Sequence, residues 1–369
     1  MCFFFCQQGR KWCLSVGGGA WYDAGAMKKW AMGLGLLLAL LPGAVAKEVE
    51  RVLMIGNSYT FYNHLPEVLM ALSQKTECPM EVDSYTVGAI SLRGFLDLPE
   101  HAKARQMLER GDYDWVVLQD QSQTPAYKPE ETLNSVRRWV QLAKAHKTRV
   151  MLFLTWAHAS NEGGRMRPQS DMQEKTSATY CRAAVENGVR VAPVGEAWAR
   201  WYRKPQNKPL HVRDCSHPNE AGTFLAACVL HGAMSGKALR GVPATLKLGR
   251  KVVLRVPGGQ AAELQKTANA TLKGFTPEKL LEKQAKRDAA LPSAEEVKAV
   301  LKKGTTLAEL QELLGKPFYS TRQNGQRTSQ FKLRGGAELC AYCSAQGTVR
   351  QVSITSPGSM VDIIDLEKL

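Results

Sequence analysis

The sequence lacks the motifs that most metal, nucleotide and membrane proteins carry. It has no His-Glu-x-x-His pair and no phosphate-binding loop, and no Gly-x-Gly-x-x-Gly occurs from residue 27 onward. The apolar run 31–41 is shorter than the about 20 residues that a membrane-spanning helix needs. Cys340 and Cys343 have the spacing of a zinc or redox half-site, but a second such pair is missing. We therefore expect no cofactor, no metal ion and no stable membrane span.

Acidic residues are in short supply relative to basic ones. The chain has 49 Lys and Arg against 34 Asp and Glu, a formal net charge of +15, which favours anionic partners by raising encounter rates. Aromatic residues make up 8% and do not alternate with the basic ones, so no nucleic-acid partner is expected. Hydrophobic residues make up 44%, enough for a buried core, and 369 residues predict two domains.

The residues from Met27 onward have the three parts of a secretory signal peptide. Two lysines at 28–29 precede the apolar run 31–41, and the small residues Ala44-Val45-Ala46 follow it. This pattern predicts a signal peptide over 27–46, cleavage after Ala46, and a secreted or periplasmic protein. Residues 1–26 are interpreted as a mis-assigned upstream extension. Six cysteines remain after residue 46, and an oxidising compartment allows disulfides whose pairing does not follow from spacing.

Short β-branched runs alternate with longer amphipathic ones between residues 47 and 275. The predicted strands are 52–55, 81–85, 115–118, 150–154 and 189–191. The predicted helices are 66–74, 92–110, 130–146 and 171–187, with a further helix starting at Pro218, an extended piece at 252–256 and a helix over 260–273. This order predicts an α/β domain with a doubly wound parallel five-stranded sheet, whose ligands bind beyond the carboxyl ends of the strands.

The composition changes beyond residue 275. Residues 276–293 are rich in Lys, Glu, Gln and Ala and predict a helical or flexible linker. Residues 294–369 predict a small α+β module with helices over 295–303 and 307–314 and strands over 328–333, 337–343 and 349–355.

Two segments of the first domain carry residues suited to nucleophilic catalysis. The strand 52–55 is followed by Gly56-Asn57-Ser58, which delivers a serine at the carboxyl end of the sheet. Asp214-Cys215-Ser216-His217 supplies an imidazole to accept the serine proton and a carboxylate to orient the imidazole. The alternative interpretation makes Ser58 a helix cap and His217 a capping residue beside a surface Asp214.

These segments, together with Gly88 after the second strand, resemble the SGNH/GDSL hydrolase superfamily over 48–275. The resemblance implies a flavodoxin-like three-layer sandwich, with Ser58 as nucleophile, His217 as base and Asp214 as its orienting partner. It also implies an oxyanion hole made of the Ser58 backbone N–H, the Gly88 backbone N–H and a side-chain amide. No cofactor is implied.

The sequence departs from the family pattern at two places. Asn57 stands where the family most often has Asp, and this position organises the turn. The Gly-x-Asn-Asp block is missing, and Gln119-Asp120-Gln121-Ser122-Gln123 follows the third strand instead. An amide of Gln121 or Gln119 is then the natural third oxyanion donor.

The remaining polar residues of the loops are candidates for substrate contacts. Asn57, His158 and Arg165 are the predicted substrate-binding residues. His64 either lines the pocket or flanks a helix, and four other histidines are interpreted as solvated or helix-end residues: His101, His146, His211 and His231.

The C-terminal module resembles the small two-helix, three-strand domain of outer-membrane assembly lipoproteins, on the basis of Leu301-Lys302-Lys303-Gly304-Thr305-Thr306 and Leu314-Gly315-Lys316-Pro317. That resemblance implies an envelope protein partner. The leading prediction for the whole chain is a secreted serine esterase acting on O-acyl esters, above all O-acetyl esters, of glycans. The alternatives are a lipase, thioesterase or arylesterase with the same machinery, or a catalytically inactive envelope-binding protein.

Overall fold

The computed structural model describes residues 49–162, 165–257, 259–323 and 325–369, together with the backbone of three short N-terminal strands. The chain divides into two compact units, Met1–Lys47 and Glu48–Leu369. In the first unit, β1 (Phe3–Gln8), β2 (Lys11–Val16) and β3 (Trp21–Asp23) pair as an antiparallel sheet. The predicted signal segment 27–46 lies outside the described residues.

A five-stranded parallel sheet organises the first part of the second unit. The strands here are β4 (Glu50–Gly56), β5 (Met80–Thr86), β6 (Trp115–Leu118), β7 (Arg149–Phe153), β8 (Ala159–Glu162), β9 (Arg165–Pro168), β10 (Arg190–Ala192), β11 (Thr245–Leu248) and β12 (Lys251–Arg255). The sheet order is β5-β4-β6-β7-β10, and every pairing within it is parallel. This is the 2-1-3-4-5 order of the flavodoxin-like fold, which confirms the predicted fold class.

Strand β4 shows why the sheet has helices on both faces. Val52 and Met54 are buried in one hydrophobic core, whereas Leu53 and Ile55 are buried in the other. Successive side chains of a strand point to opposite faces, so an uninterrupted apolar run needs cover on both sides. The three layers therefore follow from the sequence of this strand.

Ten helices surround the sheet and its hairpins within the described residues up to Gly274. They are α1 (Ser58–Phe61), α2 (Leu65–Ser73), α3 (Leu92–Asp97), α4 (Lys103–Arg110), α5 (Thr124–Tyr127), α6 (Pro129–Ala145), α7 (Ser170–Asn187), α8 (Val194–Tyr202), α9 (Glu220–Ser235) and α10 (Gln260–Gly274).

Two of the predicted helices have different bounds in the structure. The predicted helix 92–110 is two helices, because Leu98 is extended before Pro99 and interrupts it. Helix α9 does not begin at Pro218. Pro218 pairs with His211 in an isolated β-bridge, and the side chain of Asn219 caps the helix by accepting the Gly222 N–H at 3.0 Å.

The C-terminal part of the second unit has its own core. Helix α11 (Pro277–Ala289) occupies the predicted linker and packs Leu280 and Leu281 against the core that contains Leu53 and Ile55. The module adds α12 (Ala294–Val300), α13 (Leu307–Leu314), β13 (Tyr319–Gln323), β14 (Gln326–Lys332), β15 (Glu338–Cys343), β16 (Val349–Thr355) and β17 (Asp362–Asp365). The five strands form an antiparallel meander rather than the three strands predicted, and β13 and β17 are its edges. Residues of β13 are all exposed, so no apolar alternation marks that strand.

Among the helices that the structure describes, none is both long enough and apolar enough to cross a bilayer.

Candidate active site

The turn after β4 presents Ser58 as the first residue of helix α1. Asn57 is the helix cap, since its Oδ1 accepts the Tyr59 N–H at 3.2 Å. The Asn57 backbone N–H donates to Gln119 Oε1 at 2.8 Å, and its side-chain amide donates to the Ile90 carbonyl at 3.0 Å. Because Asn57 provides the cap, the Ser58 hydroxyl is left for other partners.

The loop before α9 folds around the carboxylate of Asp214. Its Oδ1 accepts the backbone N–H groups of Ser216, at 2.8 Å, and His217, at 2.9 Å. Cys215 between them has φ 61°, in the left-handed region that non-glycine residues seldom occupy. The loop is thus wound tightly enough to turn the His217 ring back onto Asp214.

Ser58, His217 and Asp214 form a continuous hydrogen-bonded chain, although 159 residues separate Ser58 from His217. Ser58 Oγ lies 2.8 Å from His217 Nε2, and His217 Nδ1 lies 2.7 Å from Asp214 Oδ2. An Nδ1–H donated to the carboxylate leaves Nε2 as the acceptor for the serine hydroxyl. This is the geometry that lets an imidazole remove a serine proton.

The charge state of Asp214 suits this arrangement. Partial burial alone would raise the pKa of its carboxyl, but the Ser216 N–H and the His217 side chain lower the pKa below its ordinary value. The carboxylate therefore stays ionised at neutral pH and can stabilise a protonated imidazole. Its side chain is 46% exposed, so the chain of three residues lies at the open rim of the sheet.

Aromatic residues that sequence reasoning missed support both halves of the site. The Tyr62 ring stacks on the His217 imidazole, with centroids 4.8 Å apart and planes inclined by 20°. Tyr59, next to Ser58, stacks on Trp156 at 4.5 Å, and Trp156 stacks on Trp198 at 4.1 Å. The sequence signals this support only through Tyr59 and Tyr62, which stand one and four residues after Ser58.

Ser216 connects these aromatics to the loop. Its Oγ lies 2.9 Å from the Tyr59 hydroxyl and 3.2 Å from His158 Nε2, and its carbonyl accepts the Trp156 indole N–H at 2.9 Å. Burial raises the pKa of Tyr59 to about 12, so the phenol stays protonated. Ser216 is therefore fixed from several directions beside His217.

The predicted substrate-binding residues have different positions from those expected. Asn57 is 2% exposed and its side chain is used within the turn, so it organises the turn and does not face a substrate. His158 is half-buried, and its Nε2 bonds to Ser216 and, at 3.3 Å, to Ser122. Burial lowers the pKa of His158, which favours the neutral ring. Arg165 begins β9, and its side chain lies outside the described residues.

Two of the predicted oxyanion donors are backbone groups close to Ser58. The Val87 N–H donates to the Gly56 carbonyl at 3.2 Å and Asn57 holds Ile90, so the loop with exposed Gly88 is fastened to the nucleophile turn. Within the part of the chain that the structure describes, neither the Ser58 N–H nor the Gly88 N–H has a hydrogen-bond acceptor. Both are free to bind a developing oxyanion.

Gln119 and Gln121, the two candidate side-chain oxyanion donors, differ in burial and in hydrogen bonding. Gln119 is fully buried, with Oε1 accepting from Asn57 and Thr60 and Nε2 donating to the Asp120 carbonyl. Because Gln119 is fully buried, its amide lies inside the turn and does not face a substrate, which corrects the expectation that it serves as an oxyanion donor. Gln121 is half-buried, its Oε1 accepts from Gln123 and Thr124, and its Nε2 donates to Ser122 Oγ at 3.3 Å.

The other histidines lie away from Ser58, and two of them contradict the expectation of solvated positions. His211 is 3% exposed between Tyr202 and the Ala157 carbonyl, and burial lowers its pKa to about 4. His231 lies buried within α9. His64 flanks the start of α2 with an exposed side chain, as one of its two predicted roles requires.

Within the described residues, no group of three or more His, Cys, Asp or Glu side chains is arranged to hold a metal ion. The six cysteines after residue 46 are all unpaired there.

Comparison with known proteins gives structural neighbours only. Neither a protein-family model nor a curated protein matches the chain. A candidate SGNH hydrolase from Slackia heliotrinireducens is 28% identical, with a TM-score of 0.44, over 51% of this chain and 100% of that one. A DUF4886 family protein from Bacteroides uniformis is 18% identical, with a TM-score of 0.47, over 62% and 96%. A lipase/acylhydrolase from Enterococcus faecalis is 13% identical, with a TM-score of 0.39, over 52% and 100%.

Proposed function

We propose that the protein is a serine hydrolase that cleaves carboxylic esters. The observation that carries this proposal is the chain of hydrogen bonds from Ser58 Oγ through His217 to Asp214, at 2.8 and 2.7 Å. A serine hydroxyl is a weak nucleophile until a neighbouring base accepts its proton, and the base needs a partner that holds its tautomer. All three requirements are met by side chains of one site.

The reaction proceeds in two steps. Ser58 Oγ attacks the ester carbonyl while its proton passes to His217 Nε2, and the tetrahedral oxyanion accepts hydrogen bonds from the Ser58 and Gly88 N–H groups. Collapse breaks the bond to the alcohol, which takes the proton from His217 and leaves an acyl-serine. Water then attacks the acyl-serine with His217 again accepting a proton, which releases the carboxylic acid and restores Ser58.

Gln121 is the side-chain donor that we assign to the same oxyanion. A primary amide has two N–H donors, and among the described residues the Gln121 amide nitrogen makes a single hydrogen bond, to Ser122. The second N–H of this amide has no acceptor among the described residues, and it is the one that we assign to the oxyanion.

The open position of the site supports a polar substrate. The His217 side chain is 27% exposed and that of Asp214 46%, so the reacting centre is accessible to a large polar molecule. A small acyl group, above all acetyl, carried on a glycan fits such a rim better than a long acyl chain, which needs apolar cover. Export by the signal peptide over 27–46 brings the enzyme to extracellular or periplasmic glycans, and Lys47 is the first residue expected on sequencing the exported protein.

Hydrolysis of p-nitrophenyl acetate tests the proposed reaction. We expect turnover by the full chain and a loss of about 1,000-fold or more in kcat for Ser58→Ala and for His217→Ala, because the nucleophile or its base is removed. Ser359→Ala and His146→Ala, both at exposed positions, are the matched controls. Equal turnover in all five proteins would remove the esterase proposal.

A further inference from the structure

A cleft outside the proposed catalytic residues lies between β9, α8 and α11. Its volume is about 730 Å³, within the range of about 300 to 1,000 Å³ typical of ligand pockets. Met166, Pro168 and Leu280 supply apolar surface, while Asn207 and Gln284 supply amides. Such a mixture suits a sugar ring, which has apolar C–H faces and hydroxyl edges.

The cleft carries an excess of positive charge. Five cations and two carboxylates line it: Arg167, Arg203, Lys204, Lys283, Arg287, Glu174 and Glu196. Glu174 pairs with Arg287 at 2.6 Å and with Lys332 at 2.8 Å, and Glu196 accepts the Ser177 hydroxyl at 2.6 Å. Glu174 is therefore compensated by two cations, whereas Glu196 keeps its charge, and the cations of the lining still outnumber the carboxylates.

Three of the cations form no ion pair, although the charge of Lys204 acts, after that of Lys266, on the Glu263 carboxylate. Across the described ranges, no carboxylate oxygen lies within ion-pair distance, 4.0 Å, of Arg203, Lys204 or Lys283, and all three side chains are exposed. Concave surfaces that carry one sign of charge concentrate ligands of the opposite sign. The residues that line the cleft therefore carry a net positive charge that can bind an anion.

The cleft adjoins the proposed catalytic base. Pro209 lines the cleft, and its carbonyl accepts the Asn219 side-chain N–H at 2.7 Å. Asn219 is two residues from His217, a separation of at most about 7 Å along an extended backbone. The β8–β9 hairpin makes a second connection. Ala159, the first residue of β8, donates its N–H to the Cys215 carbonyl at 2.8 Å, and Met166 of β9 lines the cleft. The loop that carries Asp214 and His217 is therefore hydrogen-bonded to both sides of the cleft.

From this arrangement we infer that the cleft is a subsite for an anionic segment of a linear polysaccharide whose neighbouring residue carries the ester. The anionic group is a carboxylate or a sulfate, held by Arg203, Lys204 and Lys283, while the amides and apolar side chains contact the sugar. The inference rests on the proposed function for the identity of the reaction, but the binding itself requires no turnover.

Direct binding tests the subsite independently of catalysis. Isothermal titration calorimetry of the full chain with polygalacturonate, dextran sulfate and neutral dextran in 150 mM salt is expected to show binding of one or both anionic polymers and at least tenfold weaker binding of dextran. The triple variant Arg203→Gln, Lys204→Gln, Lys283→Gln is expected to weaken anionic binding at least tenfold. The matched control is Lys103→Gln, Arg240→Gln, Lys303→Gln, which removes the same charge from exposed positions elsewhere and is expected to change binding less than twofold.

The subsite would be overturned if dextran bound as tightly as the anionic polymers, or if the two triple variants weakened binding equally. It would also be overturned if single-stranded oligo(dT) bound as tightly as the anionic polysaccharides, because that result would show a response to charge alone. The link to catalysis has its own measurement. In the cleft variant, the ratio of kcat/KM on acetylated polygalacturonate to kcat/KM on p-nitrophenyl acetate is expected to fall about tenfold. If the protein does not hydrolyse p-nitrophenyl acetate, the calorimetric binding result is still valid. If calorimetry shows no preference for anionic polymers, the hydrolysis of p-nitrophenyl acetate is still valid.

Discussion

Ser216 joins the two segments that carry the proposed nucleophile and base. Its backbone N–H binds Asp214, its carbonyl binds Trp156, and its hydroxyl bonds to Tyr59 and His158. Tyr59 follows Ser58 in helix α1, and His217 follows Ser216, so the bond from Tyr59 to Ser216 fixes the distance between the reacting side chains. We regard Ser216 as a positioning residue that acts through His217.

Replacement of Ser216 tests this role. Ser216→Ala removes two hydrogen bonds but no backbone contact, and about 1.4 kcal/mol of lost positioning corresponds to a tenfold fall in kcat on p-nitrophenyl acetate. Because Tyr59→Phe breaks the same bond, the double variant should lose much less than the product of the two single losses. Strictly multiplicative losses, or losses confined to KM, would contradict a positioning role.

The glutamine after β6 makes a second prediction at this scale. Gln121→Ala removes the side-chain oxyanion donor and should lower kcat about 100-fold with little change in KM, since the hydrogen bond forms only in the transition state. Gln123→Ala is the control, because Gln123 is an exposed neighbour of the same chemistry. Retention of full kcat by Gln121→Ala would leave only the two backbone donors in the oxyanion hole.

At the scale of elements, the turn from β4 into α1 has no spare room. A Cβ on Gly56 would lie 2.2 Å from Thr60 Oγ1 and 2.5 Å from Gln119 Oε1. Those two atoms are themselves hydrogen-bonded at 2.9 Å, and Gln119 Oε1 also accepts the Asn57 N–H. The buried amide of Gln119 thus sets how closely β4 and β6 approach where the strands end.

Gly56→Ala should therefore destabilise the protein. Displacing Thr60 and Gln119 is expected to cost about 1 to 3 kcal/mol of unfolding free energy, the usual range for overpacking a buried site. Gly274→Ala is the control, because a Cβ there meets nothing within 4 Å. Urea unfolding of the two variants measures the difference, and equal midpoints would show that the turn adjusts without cost.

At the scale of the whole second unit, charged residues hold the C-terminal module against α7. Lys332 of β14 lies 2.7 Å from Asp171 and 2.8 Å from Glu174, and Lys175 lies 2.8 Å from Glu338 of β15. Burial alone would raise the pKa of Asp171, but Lys332 and Lys175 beside it lower the pKa below its ordinary value. These ion pairs are half-buried, so each contributes modestly to the stability of the folded protein.

This cluster predicts a particular dependence on pH. Because the pKa of Asp171 is lowered by folding, its ion pairs stabilise the protein above pH 3.8, the ordinary Asp value, and the stabilisation is lost as the pH falls through the lowered pKa. Lys332→Gln should cost about 1 kcal/mol at pH 6, and its thermal midpoint should converge on that of the wild type in acid.

Calorimetry from pH 2 to pH 7 measures this convergence, which is expected below pH 3.8. Lys303→Gln, an exposed substitution in the same module, should match the wild type throughout. A gap between Lys332→Gln and the wild type that widens in acid would contradict the role given to Asp171.

Local signals in the sequence were sufficient for the sheet and for the three residues of the proposed chemistry. Strands β4, β6 and β7 are apolar runs that are recognisable without any distant partner, and β5 shows the alternation of an edge strand. Gly56-Asn57-Ser58 and Asp214-x-x-His217 are each confined to four residues or fewer. Strands β13 and β17 were not predicted because they are polar or exposed edge strands. Each is stabilised only by pairing with its neighbour, β14 or β16.

Tertiary structure alone decided which polar groups are free. Gln119 and Gln121 are equivalent in sequence, yet Gln119 is fully buried beneath Asn57 and Thr60, whereas Gln121 is only half-buried. His158 likewise bonds to Ser122 and Ser216, 36 and 58 residues away, and His211 bonds to the Ala157 carbonyl, 54 residues away. Hydrogen-bond satisfaction depends on which groups folding brings together, and no local pattern encodes that.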